Sequence, residues 1–307
     1  MTDLRTADPR TAEAATLLPT DTPGVVLYSA GFERLIADLR LGIEALGADE
    51  PFERLAIPPV ISRALVERAG YAKAFPHLLG TVHSFTGTPA EWRELAETPD
   101  WHREQRIGDL VLLPAACYPV YATLEGRELA APARFAVSAH CFRQEGSAEP
   151  GRLRSFRMSE YVTAGTQQHC EDWRSAWLAR VAEWLRAMDL KVSVEVADDP
   201  FFGRARKVFQ AAQRAQELKY ELRVEVADGL VQAIASANCH KDTFGTVFSF
   251  TADGEAGHTA CAAFGLERIA LALIHAHGPH PADWPAPVRA VLTGAVSATA
   301  QAAGADR

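Results

Sequence analysis

The feature that most restricts how this chain can fold is a pair of short strand-like segments joined by a polar loop. The first reads His140-Cys141-Phe142-Arg143-Gln144-Glu145, the second Leu153-Arg154-Ser155-Phe156-Arg157-Met158-Ser159-Glu160, and Gly, Ser and Pro fill the space between. Such a reversal predicts an antiparallel hairpin with cations and carboxylates on opposed strands. Arg143 can grip a phosphate through two parallel N–H groups. Glu145, two residues on and so on the same strand face, can accept hydrogen bonds from an adenine amino group or a substrate ammonium. The layout suits a nucleotide, and equally a surface hairpin laced with ion pairs.

The rest of the chain sets the scale. With 307 residues, 48% of them hydrophobic, it can bury a large core, and one large domain is expected. A net charge of -8 argues against broad adhesion to nucleic acid, where Lys and Arg supply most of the non-specific affinity. The five cysteines, Cys117, Cys141, Cys170, Cys239 and Cys261, form no C-x-x-C pair and do not read as a disulfide framework. No apolar run reaches membrane-spanning length and the first residues lack a signal-peptide core, so a reducing cytoplasm is the expected compartment.

Residues 1–22, rich in Thr, Ala, Asp and Pro without sustained periodicity, read as a mobile tail, and 23–307 as one domain. Leu35, Ile36, Leu39, Ile43 and Leu46 recur at helical spacing. A strand beside Pro58 and Pro59 suits a sheet edge. The run from Asp109 to Tyr121 predicts a buried strand that opens at Cys117. Helices are expected over Gln167–Met188, Phe201–Gln216 and Trp284–Ala303, the second of them carrying Arg204, Arg206, Lys207 and Arg214. Leu218–Val226 and Leu230–His240 alternate as strands around an Asp228-Gly229 turn, and further strands are expected over Val192–Val196, Val247–Phe250 and Gly257–Phe264. The predicted class is α+β, a mostly antiparallel sheet flanked by helices.

Arg143-x-Glu145, the loop, and Arg154-x-Phe156 on the returning strand resemble motif 2 of the class II aminoacyl-tRNA synthetases. Phe264-Gly265-Leu266-Glu267-Arg268 and the apolar helix after it resemble their motif 3, and Phe52 to Phe85, with Pro59, resembles motif 1, which pairs two subunits. Lys219-Tyr220-Glu221-Leu222 followed by a strand holding Ser236 and Asn238 is similar to a pattern of the seryl branch. More narrowly, the chain resembles the amino acid:[carrier protein] ligases, truncated relatives of atypical, zinc-dependent seryl-tRNA synthetases.

The resemblance implies a class II catalytic domain over 23–307, a homodimer, and attack of an amino-acid carboxylate on the α-phosphate of ATP. Arg143 then faces the α-phosphate, Arg268 the γ-phosphate of a bent ATP, and Phe156 stacks adenine. Arg152 or Arg154 handles the outer phosphates. Ser236 and Asn238, on one strand face, hydrogen-bond nucleotide or substrate, with Lys219 at the pocket wall. Gln232 stands where the tRNA synthetases keep a metal-binding glutamate, which leaves open how the ATP-bound Mg²⁺ is held. Cys117, Glu160 and Cys261 match zinc-binding positions, each expected on a different strand, and such a Zn²⁺ keeps an open position for the substrate amine. The remaining cysteines and most histidines read as structural, because a carboxylate nucleophile is already ionised at neutral pH.

The expected substrate is a small amino acid such as glycine or alanine. The implied acceptor is the phosphopantetheine thiol of a carrier protein, with the basic helix as its docking surface and no tRNA. A diverged tRNA ligase and a catalytically silent paralogue that binds ATP or amino acid are the competing classes.

Overall fold

In a computed structural model of the chain, which describes residues 14–99 and 101–296, the predicted hairpin lies inside a seven-stranded sheet. Its strands are β1 (Glu53–Ala56), β2 (Ala133–Phe142), β3 (Ser155–Gly165), β4 (Ser193–Val196), β5 (Lys219–Ala227), β6 (Leu230–Lys241) and β7 (His258–Gly265). Their order is β4-β5-β6-β7-β3-β2-β1. Every neighbouring pair is antiparallel except β1 and β2, as the α+β reading requires. The helices used below are α1 (Ala30–Leu46), α2 (Tyr118–Thr123), α3 (Gln167–Ala187), α4 (Arg206–Ala215), α5 (Thr243–Phe248), α6 (Leu266–His277) and α7 (Ala286–Leu292).

Alternation along the central strands sorts their side chains onto two faces. Tyr161 of β3 and Phe264 of β7 point to the face covered by α1, α3 and α6, where they pack with Trp177 and Trp184 in the larger core cluster. Phe156, Met158 and Glu160 of β3 point the other way, toward a second cluster around α2 and α5. A smaller sheet of Val60–Ser62, Arg106–Leu112 and Thr81–Ser84 lies beside it. Among the described residues no helix is long and apolar enough to cross a membrane, and all five cysteines are free and buried.

Several local expectations are corrected. Of the proposed tail, residues 1–13 lie outside the described residues, whereas Leu17–Pro19 pairs with Val26–Tyr28 as a small hairpin. Ser29 organises it: its hydroxyl donates to the Ala14 carbonyl (2.8 Å) and accepts from Thr16 N (2.9 Å) and Phe32 N, so one side chain both seats the hairpin and caps α1. Val247–Phe250 is no strand. Phe244 and Phe248, four residues apart on α5, are both buried, and helical spacing overrides a locally strand-like composition. Cys117 lies off the sheet, at the N-cap of α2, because Leu113-Pro114 ends the preceding strand. The basic helix is shorter than expected, since Gly203 takes a left-handed turn (φ 90°) just before it. The terminal helix stops at Leu292, where Gly294 is left-handed (φ 71°), and 297–303 lie outside the described residues.

One buried cation ties the sheet to the helices on the first of its two faces. Arg157 on β3, 4% exposed, donates from Nε to Oε1 of Glu267 on α6 (2.7 Å), while its backbone N–H donates to Oε2 of the same carboxylate (2.8 Å). Its other arm reaches both oxygens of Glu33 on α1 (2.8 Å each), and the Tyr28 ring lies 4.5 Å from the guanidinium carbon. Burial pushes the Glu267 carboxyl upward, and Arg157 works against that. Replacing Arg157 by Met strands Glu267, only 1% exposed, without its counter-charge. Urea unfolding of Arg157→Met is therefore expected to show a loss of about 3–5 kcal/mol. The same measurement on Glu33→Gln, at the solvent end of the network, is expected to show a loss of about 1 kcal/mol or less.

Candidate active site

The register across five strands assembles the site from positions far apart in the chain. Glu221, Ser236, Ala263, Glu160 and Val137 form one rung from β5 to β2. Lys219, Asn238, Cys261 and Val162 form an adjacent rung on the same face. Two cavities open over these rungs and share a wall of Arg143, Met158, Lys219, Ser236 and Ala263.

The first cavity is the cationic one. Arg143, Arg152 and Arg268 line it together with Glu145, Phe156 and Glu267. Arg268 donates from Nε to the Gly151 carbonyl (2.9 Å) and from a terminal nitrogen to the Ala233 carbonyl (3.0 Å), which ties the hairpin loop to β6. Burial, then the nearby Arg143 and Arg152, lower its pKa to about 10. Three guanidinium groups that raise one another's energy form a site completed by a polyanion. Arg143 lies over the Phe156 ring at 5.6 Å, and Glu145 pairs with Arg152 at 3.6 Å.

The sequence left Arg152 and Arg154 as alternatives. Arg152 lines the cavity and Arg154 does not; the Arg154 side chain packs against Gly146 and its backbone N–H donates to the Gly24 carbonyl (2.7 Å). Gln232 is also placed elsewhere than expected. It is 5% exposed and its amide nitrogen donates to Glu149 Oε1 (2.8 Å) and the Pro150 carbonyl (2.9 Å), so it braces the loop from behind instead of facing the cavity. A side chain at Gly151, whose φ is 75°, would meet the Gln232 oxygen at 2.5 Å.

The second cavity gathers the sequence candidates Cys117, Glu160, Cys261, Ser236 and Asn238, with Lys219 on its wall. Glu160 Oε1 accepts from the backbone N–H groups of Ala116 (2.8 Å) and Cys117 (3.1 Å), and burial raises its pKa to about 8. The neighbouring Cys261 and burial push the Cys117 thiol up, whereas Cys117, His240 and Asn238 pull the Cys261 thiol down. His240 Nε2 lies 3.8 Å from the Cys261 sulfur and Asn238 Nδ2 donates to it at 3.3 Å.

Two thiols and a carboxylate are donors that zinc takes, and the three are brought together. Their present arrangement is not a ligand set: among the described residues no group of three or more His, Cys, Asp or Glu is placed to hold a metal ion. One oxygen of Glu160 is engaged by two backbone donors.

Three residues at or beside the cavities were not singled out in the sequence. Asp199, read only as part of a turn, reaches into the second cavity and accepts from Lys219 Nζ at 2.6 Å. Glu267 and Arg157 hold Phe156 and Arg268 through the backbone next to each. The adjacency of Glu267 and Arg268 was the only available signal for the second case.

No protein-family model matches the chain. Amino acid--[acyl-carrier-protein] ligase 1 of Bradyrhizobium diazoefficiens is 41% identical over 274 residues, which cover 87% of this chain and 82% of that protein. Ligase 2 of the same organism is 39% identical over 279 residues, covering 88% and 83%. The type-2 serine--tRNA ligase of Methanopyrus kandleri is 27% identical over 217 residues, 64% of this chain and 41% of its own length. Among solved structures, M. kandleri seryl-tRNA synthetase in complex with tRNASec of A. aeolicus superposes with a TM-score of 0.76 at 21% identity, covering 90% of this chain and 58% of that one. Seryl-tRNA synthetase of Pyrococcus horikoshii, complexed with ATP, gives 0.60 at 15% identity, covering 84% and 54%. The chain thus spans a little over half the length of these synthetases and has their α+β fold. At the identity and coverage it shares with the two Bradyrhizobium proteins, the chain belongs to the amino acid--[acyl-carrier-protein] ligase family, built on the class II aminoacyl-tRNA synthetase fold.

Proposed function

We propose that the protein activates a small amino acid, glycine or alanine, with ATP and transfers it to the phosphopantetheine thiol of a carrier protein. The observation that carries this reading is the shared wall: a cavity ringed by three arginines and a cavity suited to an amino acid meet at Arg143 and Lys219. A carboxylate held in the second cavity then faces the α-phosphate of a nucleotide, with its Mg²⁺, held in the first. Arg143 neutralises the two anions as they approach, and the positioning removes most of the entropic cost of bringing them together.

Cys117, Glu160 and Cys261 are the residues that would hold zinc, once Glu160 exchanges its backbone donors for the metal. Bound there, the ion supplies a fixed positive charge and an open position for the substrate amine. The donor identities support this assignment. Metal analysis of purified protein is expected to find about one zinc per chain. Cys117→Ser and Cys261→Ser should each lower that content and the activation rate by at least about tenfold.

The carrier docks on α4 in this reading. None of its residues is buried; Arg206 and Lys207 lie beside exposed Val208 (69%) and Phe209 (52%), a basic and apolar surface complementary to an acidic partner. A second copy of the chain covers exposed Ile107 and Leu110 on the small sheet next to Pro59, giving the homodimer. The buried free thiols suit the cytoplasm.

Pyrophosphate exchange across the twenty amino acids, followed by transfer to a phosphopantetheinylated carrier or to total tRNA, tests the function directly. Exchange with a small amino acid and thioester formation on the carrier are the expected results; charging of tRNA instead would favour a diverged tRNA ligase. Charge reversal at Arg204 and Arg206 should slow carrier loading by about tenfold while leaving exchange unaltered.

A further inference from the structure

We infer that Lys219 is a second catalytic cation, acting beside Arg143 on the reacting carboxylate and α-phosphate, and that Asp199 is the positioning residue that aims it. The inference rests on the activation reading above and adds to it a residue and a means of holding it.

Of the residues on the wall between the two cavities, Arg143 and Lys219 are the only cations among those described. The reaction joins two anions at that wall. A carboxylate oxygen forms a bond to the α-phosphorus, the bond from that phosphorus to the bridging oxygen breaks, and the electron pair leaves with pyrophosphate; no proton is transferred. Negative charge therefore gathers on the non-bridging oxygens of one phosphorus, and a cation that reaches both compartments stabilises it best. Lys219 meets that description. It opens β5 opposite Asn238, and only 14% of its side chain is exposed.

The ammonium has three hydrogens. One is directed to Asp199 Oδ1 at 2.6 Å, and Glu221 lies 3.4 Å away on the same face. Donor capacity therefore remains for an incoming anion. Burial by itself would lower the lysine pKa, but Asp199 and Glu221 outweigh it and keep the group charged.

Asp199 is itself gripped from outside the cavity. Its backbone N–H donates to Gln213 Oε1 (2.7 Å), and Gln213 Nε2 donates back to Asp199 Oδ2 (2.8 Å). Gln210, one turn earlier, donates to Asp198 Oδ1 (2.8 Å). Gln210 and Gln213 are the two residues of α4 that are not exposed, so the helix meets the body of the protein largely through this carboxylate pair. The chain of contacts runs from α4 through Asp199 to Lys219 and the wall where the substrates meet.

The bland reading is a buried ion pair in which Lys219 only neutralises Asp199. A double-mutant cycle separates the two. In the full-length protein, Lys219→Met is expected to slow pyrophosphate exchange by about 100-fold, with calorimetric affinity for a non-hydrolysable ATP analogue changed less than about threefold. Asp199→Asn, which keeps an acceptor for Gln213 but removes the charge, is expected to lower kcat by about tenfold with little change in KM for ATP. The combined Lys219→Met/Asp199→Asn variant has no stranded charge and remains folded even where the single lysine variant does not. It is expected to stay about 100-fold slow. Recovery of near wild-type exchange in that double variant, or an unchanged rate in Lys219→Met, overturns the catalytic role. Wild-type protein that shows no exchange with any amino acid would instead overturn the activation reading itself.

Discussion

The interaction on which the rest of the structure depends is the buried contact between Arg157 and Glu267. A carboxylate and a guanidinium with almost no exposure are costly to desolvate, and they are retained here with both oxygens of Glu267 bonded to one residue, side chain and backbone. That double hold fixes the spacing between the return strand of the hairpin and the start of α6. Phe156 and Arg268 are the chain neighbours of this pair, so the same contact sets the distance between two walls of the cationic cavity. Glu33 and Tyr28 extend the hold to the segment before β1. A hairpin whose sequence suggests no structure thereby becomes part of the site's frame, its Gly24 carbonyl accepting from Arg154 N.

From that frame the chemistry follows by register. Period-two alternation sends Phe156, Met158 and Glu160 to one face, and antiparallel pairing then places Ser236, Asn238, Cys261 and Ala263 beside them. A slip of one residue in any of these pairings would send the polar groups into the aromatic core around Trp177. The cavities are thus a consequence of pairing, with Cys117 delivered separately by the turn into α2 and held through the carboxylate of Glu160.

The legible part of the site consists of residues whose neighbours in sequence carry the same meaning. Arg143 and Glu145 flank one arm of the hairpin, Phe156 lies on the other, and Arg268 opens a helix after a strand ending in Gly265; all four line one cavity, because short-range geometry alone puts these side chains on its side. Gln232, expected at the site from the resemblance alone, faces the hairpin loop instead: β6 is irregular against β5, with a register shift at Leu222 and Arg223, and the Gln232 amide is taken up by Glu149 and Pro150. Asp199 was unreadable for a different reason. Its partner Lys219 is 20 residues away and Gln213 is 14 away on an exposed helix, and nothing local distinguishes that aspartate from Asp198.

What the sequence by itself determined was most of the central strands and the helices behind them, the hairpin with its arginines, and the class of fold, since hydrophobic period and turn chemistry act over a few residues. Only the tertiary structure decided which of Arg152 and Arg154 faces the cationic cavity, that Val247 and Phe248 belong to a helix, and that Lys219 and Arg143 share one wall. Those outcomes depend on pairing between distant segments and on which side chains can be buried together, and no local pattern records either quantity.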